Sequence, residues 1–349
     1  MSSKENLPSK PTKRRYIVLM SVLALVVLGW SAVWFFGRSF LHEQLNSQMS
    51  QMAAQGLEVS CADLEINGFP FRYEVSCRQM TSADRSGTAA KLGGLNAVAL
   101  IYNPTHVIFE AGAPAVMDVP LSGMSGDMTW ETARASMKFG SGALGKLDAV
   151  VEKPEAVLNN PVSTGSFAAE KAELHVRQSE GEADFLEGFL SVDALQLRSL
   201  PALQDALDLR AHLQIPGGAS LLAGANLPWL VQSNGGELPV KLVVFDASLG
   251  DSRVKAVGDF VVNGDGTLSG TLDLSLGNAE ALIEAIRPLA PAGDRTLALV
   301  EQVVKSLDPV ASDVDGVKTV PLKVNIDRGI ARIGLLPLPP IPPLFQAGF

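Results

Sequence analysis

Residues Ile17–Phe36 read IVLMSVLALVVLGWSAVWFF, and this stretch organises the rest of the chain. None of its residues is charged. As a helix it would extend about 30 Å, the thickness of the hydrocarbon core of a bilayer, and it would satisfy its own backbone hydrogen bonds in lipid. Four aromatic residues crowd its C-terminal end, as in an interfacial aromatic belt: Trp30, Trp34, Phe35 and Phe36. The sequence therefore predicts a transmembrane anchor over residues 17–36.

The charge on either side of this anchor differs in sign. Residues 1–15 hold five of the 28 Lys and Arg residues and one of the 37 Asp and Glu residues, which leaves a net charge of -13 on the remainder. Positive residues beside a span stay in the cytoplasm, so we expect residues 1–16 to form a cytoplasmic basic tail. The acidic remainder disfavours nucleic acid as a partner, because it has no excess of cations to replace phosphate counterions.

A cleaved secretory signal is the alternative interpretation of the same stretch. Signal peptides usually have an apolar region of about 7–15 residues that ends in a small-x-small cleavage site. Here the run is longer, ends in Trp34-Phe35-Phe36 and has no A-x-A pattern, which favours an uncleaved anchor. Both interpretations place residues 37–349 on the far side of the membrane.

The exported part has the composition and spacing of a strand-rich fold. Glycine (32) and proline (21) are abundant, and alternating apolar residues are broken repeatedly by Gly, Asn, Asp and Pro. Residues 37–56 have helical spacing and end at Gly56, which predicts a helix that leads out of the membrane. We expect a mainly β (α+β) fold over residues 57–349, with curved antiparallel sheets, a few covering helices and a candidate sub-division at 216–218.

The segment Leu57–Met80 contains both cysteines, Cys61 and Cys77. A two-residue turn at Asn67-Gly68 would pair Ile66 with Phe69 and keep the thiols apart. A wider loop over about residues 67–71, which Pro70 favours, would bring the thiols together, and an oxidising compartment would then favour a disulfide. We predict the disulfide; the tight turn with two free thiols is the alternative.

The same segment carries the motif Gly68-Phe69-Pro70-Phe71-Arg72 between the two cysteines. With the basic N-terminus and the single anchor, it resembles an uncharacterised family of alphaproteobacterial envelope proteins, domain-of-unknown-function family 2125. A looser similarity connects such chains to the AsmA and TamB group. The resemblance implies a protein of the bacterial inner membrane with a β-rich periplasmic part, and by fold-level analogy it implies handling of envelope lipids.

The clearest β signal lies at Leu238–Leu276, where three alternating runs are separated by turns at Gly250-Asp251 and at residues 263–266. Asn278 is predicted to cap a first amphipathic helix and Asp294 a second, and both should cover one face of the sheet. The proline-rich ending at residues 335–345 can form neither helix nor inner strand. It should be an extended apolar strap, either packed on the sheet or exposed as a contact surface.

Residues that could perform chemistry are sparse. The four histidines, His42, His106, His175 and His212, have no i,i+4 pair or nearby cysteine, so no metal site is expected. The SGMSG run at residues 122–126 fails the spacing of a nucleophile elbow, and the Asp/Gly turn at 263–266 lacks the acidic twelfth position of a calcium loop. The sequence predicts no enzyme and no cofactor.

Three functional hypotheses follow. The first is a non-catalytic envelope protein that binds a lipid or another amphiphile, with Phe69, Phe71, Trp229 and Leu344 as the candidate lining of an apolar groove. The second is a scaffold for an envelope protein complex that docks by a sheet edge or by the proline-rich tail. The third is a periplasmic hydrolase, which would need a nucleophile with a base, and the sequence indicates none.

Overall fold

The computed structural model describes residues 13–345 except 141–142, 162, 180–184, 201–202, 204, 288–294, 308, 310 and 315. Most of residues 1–16 and the predicted cap at Asp294 lie outside the described residues. The helices are α1 (Lys13–Ala54), α2 (Ala219–Leu222), α3 (Leu227–Ser233), α4 (Ala279–Ile286) and α5 (Arg295–Ser306). The predicted anchor and the predicted leading helix are therefore one continuous helix, α1. This helix is the one candidate membrane span among the described residues, by length and composition.

The described strands form one antiparallel sheet. They are β1 (Leu57–Ala62), β2 (Glu65–Asn67), β3 (Arg72–Cys77), β4 (Gln79–Asp84), β5 (Ala89–Leu100), β6 (Asn103–Val119), β7 (Met124–Thr129), β8 (Thr132–Gly140), β9 (Ala143–Glu152), β10 (Glu155–Asn160), β11 (Ser163–Ala168), β12 (Lys171–Gln178), β13 (Phe185–Leu197), β14 (Leu207–Pro216), β15 (Glu237–Leu249), β16 (Ser252–Asn263), β17 (Leu268–Gly277), β18 (Ser312–Val314), β19 (Val317–Asp327), β20 (Ile330–Ile333) and β21 (Leu336–Pro337).

The sheet is a meander once half-strands are joined: each long strand then pairs with the next one along the chain, and β17 pairs with β19, which also pairs with β18 and β20. Several labelled strands are successive halves of one long strand, because β7 and β8 pair with the same edge of β6, and β9 and β10 continue that pattern. The pairs β1/β2, β3/β4 and β11/β12 are related in the same way. Residues 216–218 form the turn after β14, and β14 and β15 pair on either side of it.

The breaks between these halves form a line across the first part of the sheet, which we call the crease. Along it Asp63, Lys153 and Ala194 have positive φ angles of 51°, 47° and 52°. The register shifts between Leu92 and Gly94 and again between Val192 and Leu195. At each register shift one strand has one more residue than its partner. This unpaired residue forms a β-bulge, which bends the strand and increases its twist. The crease therefore supplies the curvature expected of this sheet.

The disulfide between Cys61 and Cys77 is present, with its Cα atoms 5.4 Å apart. The wide loop that was predicted together with the disulfide is present at residues 68–71. The alternative, a tight turn at Asn67-Gly68, would pair Ile66 with Phe69 and is wrong, because Ile66 pairs with Val75. The register differs from the simple expectation, since Cys61 lies opposite Met80 rather than Cys77. The crease at Asp63 displaces the strands enough to bring the two sulfurs together.

Buried residues concentrate at the C-terminal end of the sheet. There α3, α4, α5 and the chain end pack on the strands and form three clusters, whose centres include Leu238, Val320 and Val324. The proline-rich strap is packed rather than free, because Leu338 and Ile341 contact the third cluster and Phe345 contacts the first. Asn278 precedes α4 as predicted, but its side chain makes no capping hydrogen bond because the residue adopts a left-handed conformation.

Candidate functional site: the apolar face of the sheet

One face of the sheet is apolar over almost its whole width. The strand registers align side chains into rows that cross the sheet, and the central one, which we call the Val75 row, contains apolar residues at every position from β2 to β19. Its members are Ile66, Val75, Ala97, Phe109, Ala135, Ala149, Leu174, Leu190, Ala211, Phe245, Ala256, Leu274 and Leu322.

The two flanking rows on the same face have the same character. Alternate residues of a strand point to the same side, so positions two before and two after the Val75 row share its face. The row through Cys77 continues with Leu95, Ala111, Ala133, Val151, Ala172, Val192, Leu209, Ala247, Val254, Leu276 and Val320. The row through Tyr73 continues with Ala99, Val107, Met137, Leu147, Val176, Gly188, Leu213, Leu242, Gly258, Leu272 and Val324. We call these three rows the apolar face.

The opposite face is polar and carries cross-strand ion pairs. The Arg134 and Glu110 side chains lie 3.6 Å apart, and Arg177 contacts Glu187 at 2.7 Å. The Arg177 guanidinium hydrogen-bonds the Glu187 carboxylate and holds the pKa of that group below its usual value. Charges paired across neighbouring strands are typical of a solvated sheet face. The two faces therefore differ in chemistry as strongly as the inside and outside of a folded domain.

The apolar face is nevertheless exposed over its N-terminal part. Leu174, Leu190 and Leu213 keep 38%, 38% and 39% of their surface accessible, although they lie on this face of adjoining strands. Leu238, on the same face of β15 beneath α3, is fully buried. Among the described helices, α2 makes its main sheet contact within this part, on β9, whereas α1 contacts β1, α3 contacts β15, and α4 contacts β16 and β19.

The contact between α2 and β9 also shows that this face is concave. Helix α2 follows β14, and β9 lies three positions away in the sheet. Leu221 of this helix packs against the first core cluster, which belongs to the apolar face. A helix on that face can reach both places only where the sheet curls towards it. The exposed apolar rows therefore line the inside of a curved sheet.

Beyond the crease the apolar face continues into a depression of about 330 Å³. It is lined mainly by apolar side chains, among them Met80, Leu92, Met117, Met128 and Leu158. Met80 lies opposite Cys61, and the disulfide joins Cys61 to Cys77 of the apolar face, so the depression belongs to the same side of the sheet. Methionine side chains are flexible and polarizable, which suits surfaces that accept ligands of variable shape.

The four residues predicted to line a groove are not brought together. Phe69 and Phe71 lie beside α1, with ring centroids 5.5 Å from Trp34 and 6.3 Å from Trp30 respectively. Trp229 lies on α3, and Leu344 bonds through its backbone to Gly266 at the far end of the sheet. The motif at residues 68–72 forms the loop against α1, and the exposed apolar surface lies between these two groups, on strands that the sequence analysis did not single out.

The histidines have ordinary partners. His106 lies 2.8 Å from Ser136 Oγ, and His175 Nδ1 lies 2.8 Å from Asp148 Oδ1 on the polar face. A polar depression surrounds His175 and His212, but no Ser, Thr or Cys is among the residues that line it. Within the described ranges, no group of three His, Cys, Asp or Glu side chains could hold a metal ion. The prediction that the protein is not an enzyme stays a prediction.

These features define a class of protein: a β meander with one apolar, concave face, joined to a long apolar helix that could anchor it in a membrane. Residues 34–342 match the family model described as an uncharacterized protein conserved in bacteria (DUF2125). The chain therefore belongs to this family, as the motif at residues 68–72 predicted. No curated protein matches the chain. The looser likeness to the AsmA and TamB group stays a prediction.

Proposed function

We propose that this protein is a non-catalytic, membrane-anchored envelope protein that binds a lipid or another amphiphile along its apolar face. The observation that supports the proposal is the alignment of three uninterrupted apolar rows that remain partly exposed between β3 and β14. Large contiguous apolar surfaces are rare on soluble proteins and mark sites of interaction with apolar partners. Seven strand spacings separate β3 from β14, or about 34 Å, which gives an extended acyl chain room to lie across the strands.

The proposed location follows from α1 and the disulfide. We infer an inner-membrane protein with a cytoplasmic N-terminus and the sheet in the periplasm, because the basic residues precede the span and the disulfide requires an oxidising compartment. An apolar face attached to a membrane helix lies close to a source of lipid. The scaffold alternative has less support, because residues 336–345 of the tail already pack on the sheet.

A photo-cross-linking experiment in living bacteria tests this proposal on the full-length chain. A photoreactive phenylalanine analogue replaces Leu190 on the apolar face or, as the matched control, Phe189 on the polar face of the same strand. Cells are labelled with ³²P-phosphate before irradiation. We expect a labelled lipid adduct at position 190 and none, or a several-fold weaker one, at position 189.

The result that contradicts lipid binding is equal or absent labelling at both positions. A second probe at Leu213, also on the exposed part of the apolar face, guards against a local distortion at position 190. Protein adducts at 190 and 213 without lipid label would instead favour the scaffold hypothesis.

A further inference from the structure

The loop between β2 and β3, residues 68–72, packs against the apolar span itself. Trp30 Nε1 donates a hydrogen bond to the Pro70 carbonyl at 2.8 Å, and Trp34 Nε1 donates one to the Arg72 carbonyl at 3.0 Å. In return, Tyr73 Oη donates to the Trp34 carbonyl at 3.3 Å. Trp30 and Trp34, on two successive turns of the helix, are thus bonded to Pro70 and Arg72. These bonds fix the height of the loop along the helix.

This height lies inside the span. Trp30 precedes Phe36, the last residue of the apolar run, by six residues, or about 1.7 helical turns, which corresponds to about 9 Å along the axis. If residues 17–36 cross the bilayer, Pro70 and Phe71 lie at the depth of Trp30. The loop then lies below the surface of the leaflet on the side of the sheet.

The aromatic side chains of the loop suit this depth, and the charge of Arg72 at its end is paired with Glu74 at 2.9 Å. Phe69 and Phe71 are 51% and 61% exposed, so nothing in the described part of the chain covers the outer sides of their rings. The adjacent turn between β5 and β6 is joined to the loop by the hydrogen bond from Ile101 N to the Phe71 carbonyl, 3.0 Å, and it presents Tyr102, which is 73% exposed. Tyrosine and tryptophan are enriched at the membrane–water interface, and exposed phenylalanine is favourable in lipid.

The backbone of the loop also satisfies much of its hydrogen bonding without water. The carbonyls of Pro70, Phe71 and Arg72 accept bonds from Trp30, Ile101 and Trp34, and Arg72 N donates to the Gly68 carbonyl at 3.1 Å. Pro70 has no N–H group to satisfy. Unpaired backbone groups are costly in lipid, so a loop that carries these bonds can enter a leaflet at low cost.

We propose that residues 69–71 are inserted into the bilayer leaflet on the side of the sheet, as a second membrane contact beside α1, with Arg72 and its partner Glu74 at the edge of this contact. A single span leaves the helix and its attached sheet free to tilt relative to the bilayer, and a loop embedded beside the helix fixes both this tilt and the height of the sheet. The inference rests on the membrane span of the proposed function, and it is independent of whether the apolar face binds a ligand.

Collision accessibility of spin labels on the full-length chain in phospholipid vesicles tests the insertion. A nitroxide-bearing unnatural amino acid replaces Phe71 or, as the aqueous control, Ser86 in the turn between β4 and β5. A third label at Leu25 reports the span. We expect the labels at 71 and 25 to collide several-fold more with oxygen than with a water-soluble nickel chelate, and the label at 86 to show the reverse.

The three labels distinguish a failure of the loop insertion from a failure of the membrane span. A nickel-accessible label at 71 beside a lipid-exposed label at 25 overturns the insertion and leaves the anchored protein intact. A nickel-accessible label at 25 overturns both. Alkylation before and after reduction shows whether the Cys61–Cys77 disulfide has formed, so a misfolded hairpin is recognised in each labelled variant. As a second variant, Phe71→Asp should shift a label at Tyr102 several-fold towards the nickel chelate; an unchanged label at Tyr102 contradicts the insertion.

Discussion

The two ends of the sheet have the same apolar face, but helices and the proline-rich strap cover this face mainly at the C-terminal end. From β15 to β20, helices and the proline-rich strap cover the apolar rows, and residues such as Leu238, Val262 and Val320 are almost fully buried. From β3 to β14 the same rows stay partly exposed. An apolar pattern on a strand thus states which face is apolar, and the arrangement of the other elements decides whether that face becomes core or binding surface.

The crease adds a second difference between the two ends. Its residues with positive φ, Asp63, Lys153 and Ala194, all lie in the uncovered part, whereas β16, β17 and β19 pair without a register shift. The covered end has a core and pairs regularly from β16 to β19, although β15 pairs with a register shift on both of its edges. The uncovered end is bent by the crease and, among the described residues, contains none of the three core clusters. We expect the first to carry most of the stability and the second to carry the function.

The largest expected effect on the free energy of unfolding comes from a comparison of one leucine from each end of the sheet. Leu238→Ala, at a fully buried position, should lower the free energy of unfolding by about 2–5 kcal/mol, because it leaves a cavity under α3. Leu190→Ala, at a 38% exposed position on the same face, should cost about 1 kcal/mol or less. Urea unfolding of the detergent-solubilised chain, followed by circular dichroism, measures both. Equal losses would mean that the face is covered throughout.

The disulfide should matter more than any single exposed apolar side chain in the uncovered end. Cys61 and Cys77 close a loop with a sequence separation of 16. Replacing both by alanine should cost about 3 kcal/mol, because the unfolded chain regains the entropy of that loop. The wild-type chain unfolded under reducing conditions is the matched control and should lose a similar amount. A loss seen in the variant but not on reduction would indicate a packing defect instead.

A stabilising substitution should be found in the crease. Ala194 has a φ of 52°, a conformation that costs an alanine about 1–2 kcal/mol and costs glycine little. Ala194→Gly should therefore raise the free energy of unfolding by about 0.5–1 kcal/mol once the greater freedom of glycine in the unfolded chain is included. Ala211→Gly on β14, outside the crease, should lower it by about the same amount. A loss at both positions would contradict the strain at Ala194.

The smallest effect concerns the polar face. Arg253 Nε lies 2.7 Å from Asp246 Oδ1, and this hydrogen bond holds the pKa of Asp246 below its usual value. The unfolded carboxyl binds its proton at higher pH than the folded one, so the pair stabilises the protein above about pH 4 and loses that effect as the pH falls through the depressed pKa. Asp246→Asn should remove this part of the acid sensitivity, worth less than about 1 kcal/mol. Unfolding midpoints at pH 7 and pH 3 measure the change.

The prediction from sequence succeeded where the signal is local. The uninterrupted apolar run Ile17–Phe36, the turn residues at 263–266 and the alternation in Leu238–Leu276 predicted a long helix and a strand-rich fold, and the structure has both. The motif at residues 68–72 led to the right family. The candidate lining was chosen by residue type, since Phe and Trp were taken as anchors of a groove, and residue type does not report how strands align.

Whereas the sequence allowed both a Cys61–Cys77 disulfide and two separate thiols, it determined by itself the apolar helix, the β class of the remainder and the polarity of each strand face. These depend on periodicity and on short separations along the chain. Only the tertiary structure decided that the apolar faces of successive strands join into uninterrupted rows, that the crease curves them, and that most of the covering helices lie at one end. Row continuity depends on the register of every strand pair, and one bulged residue such as Ala194 reverses the faces that follow it, so no single segment contains that information.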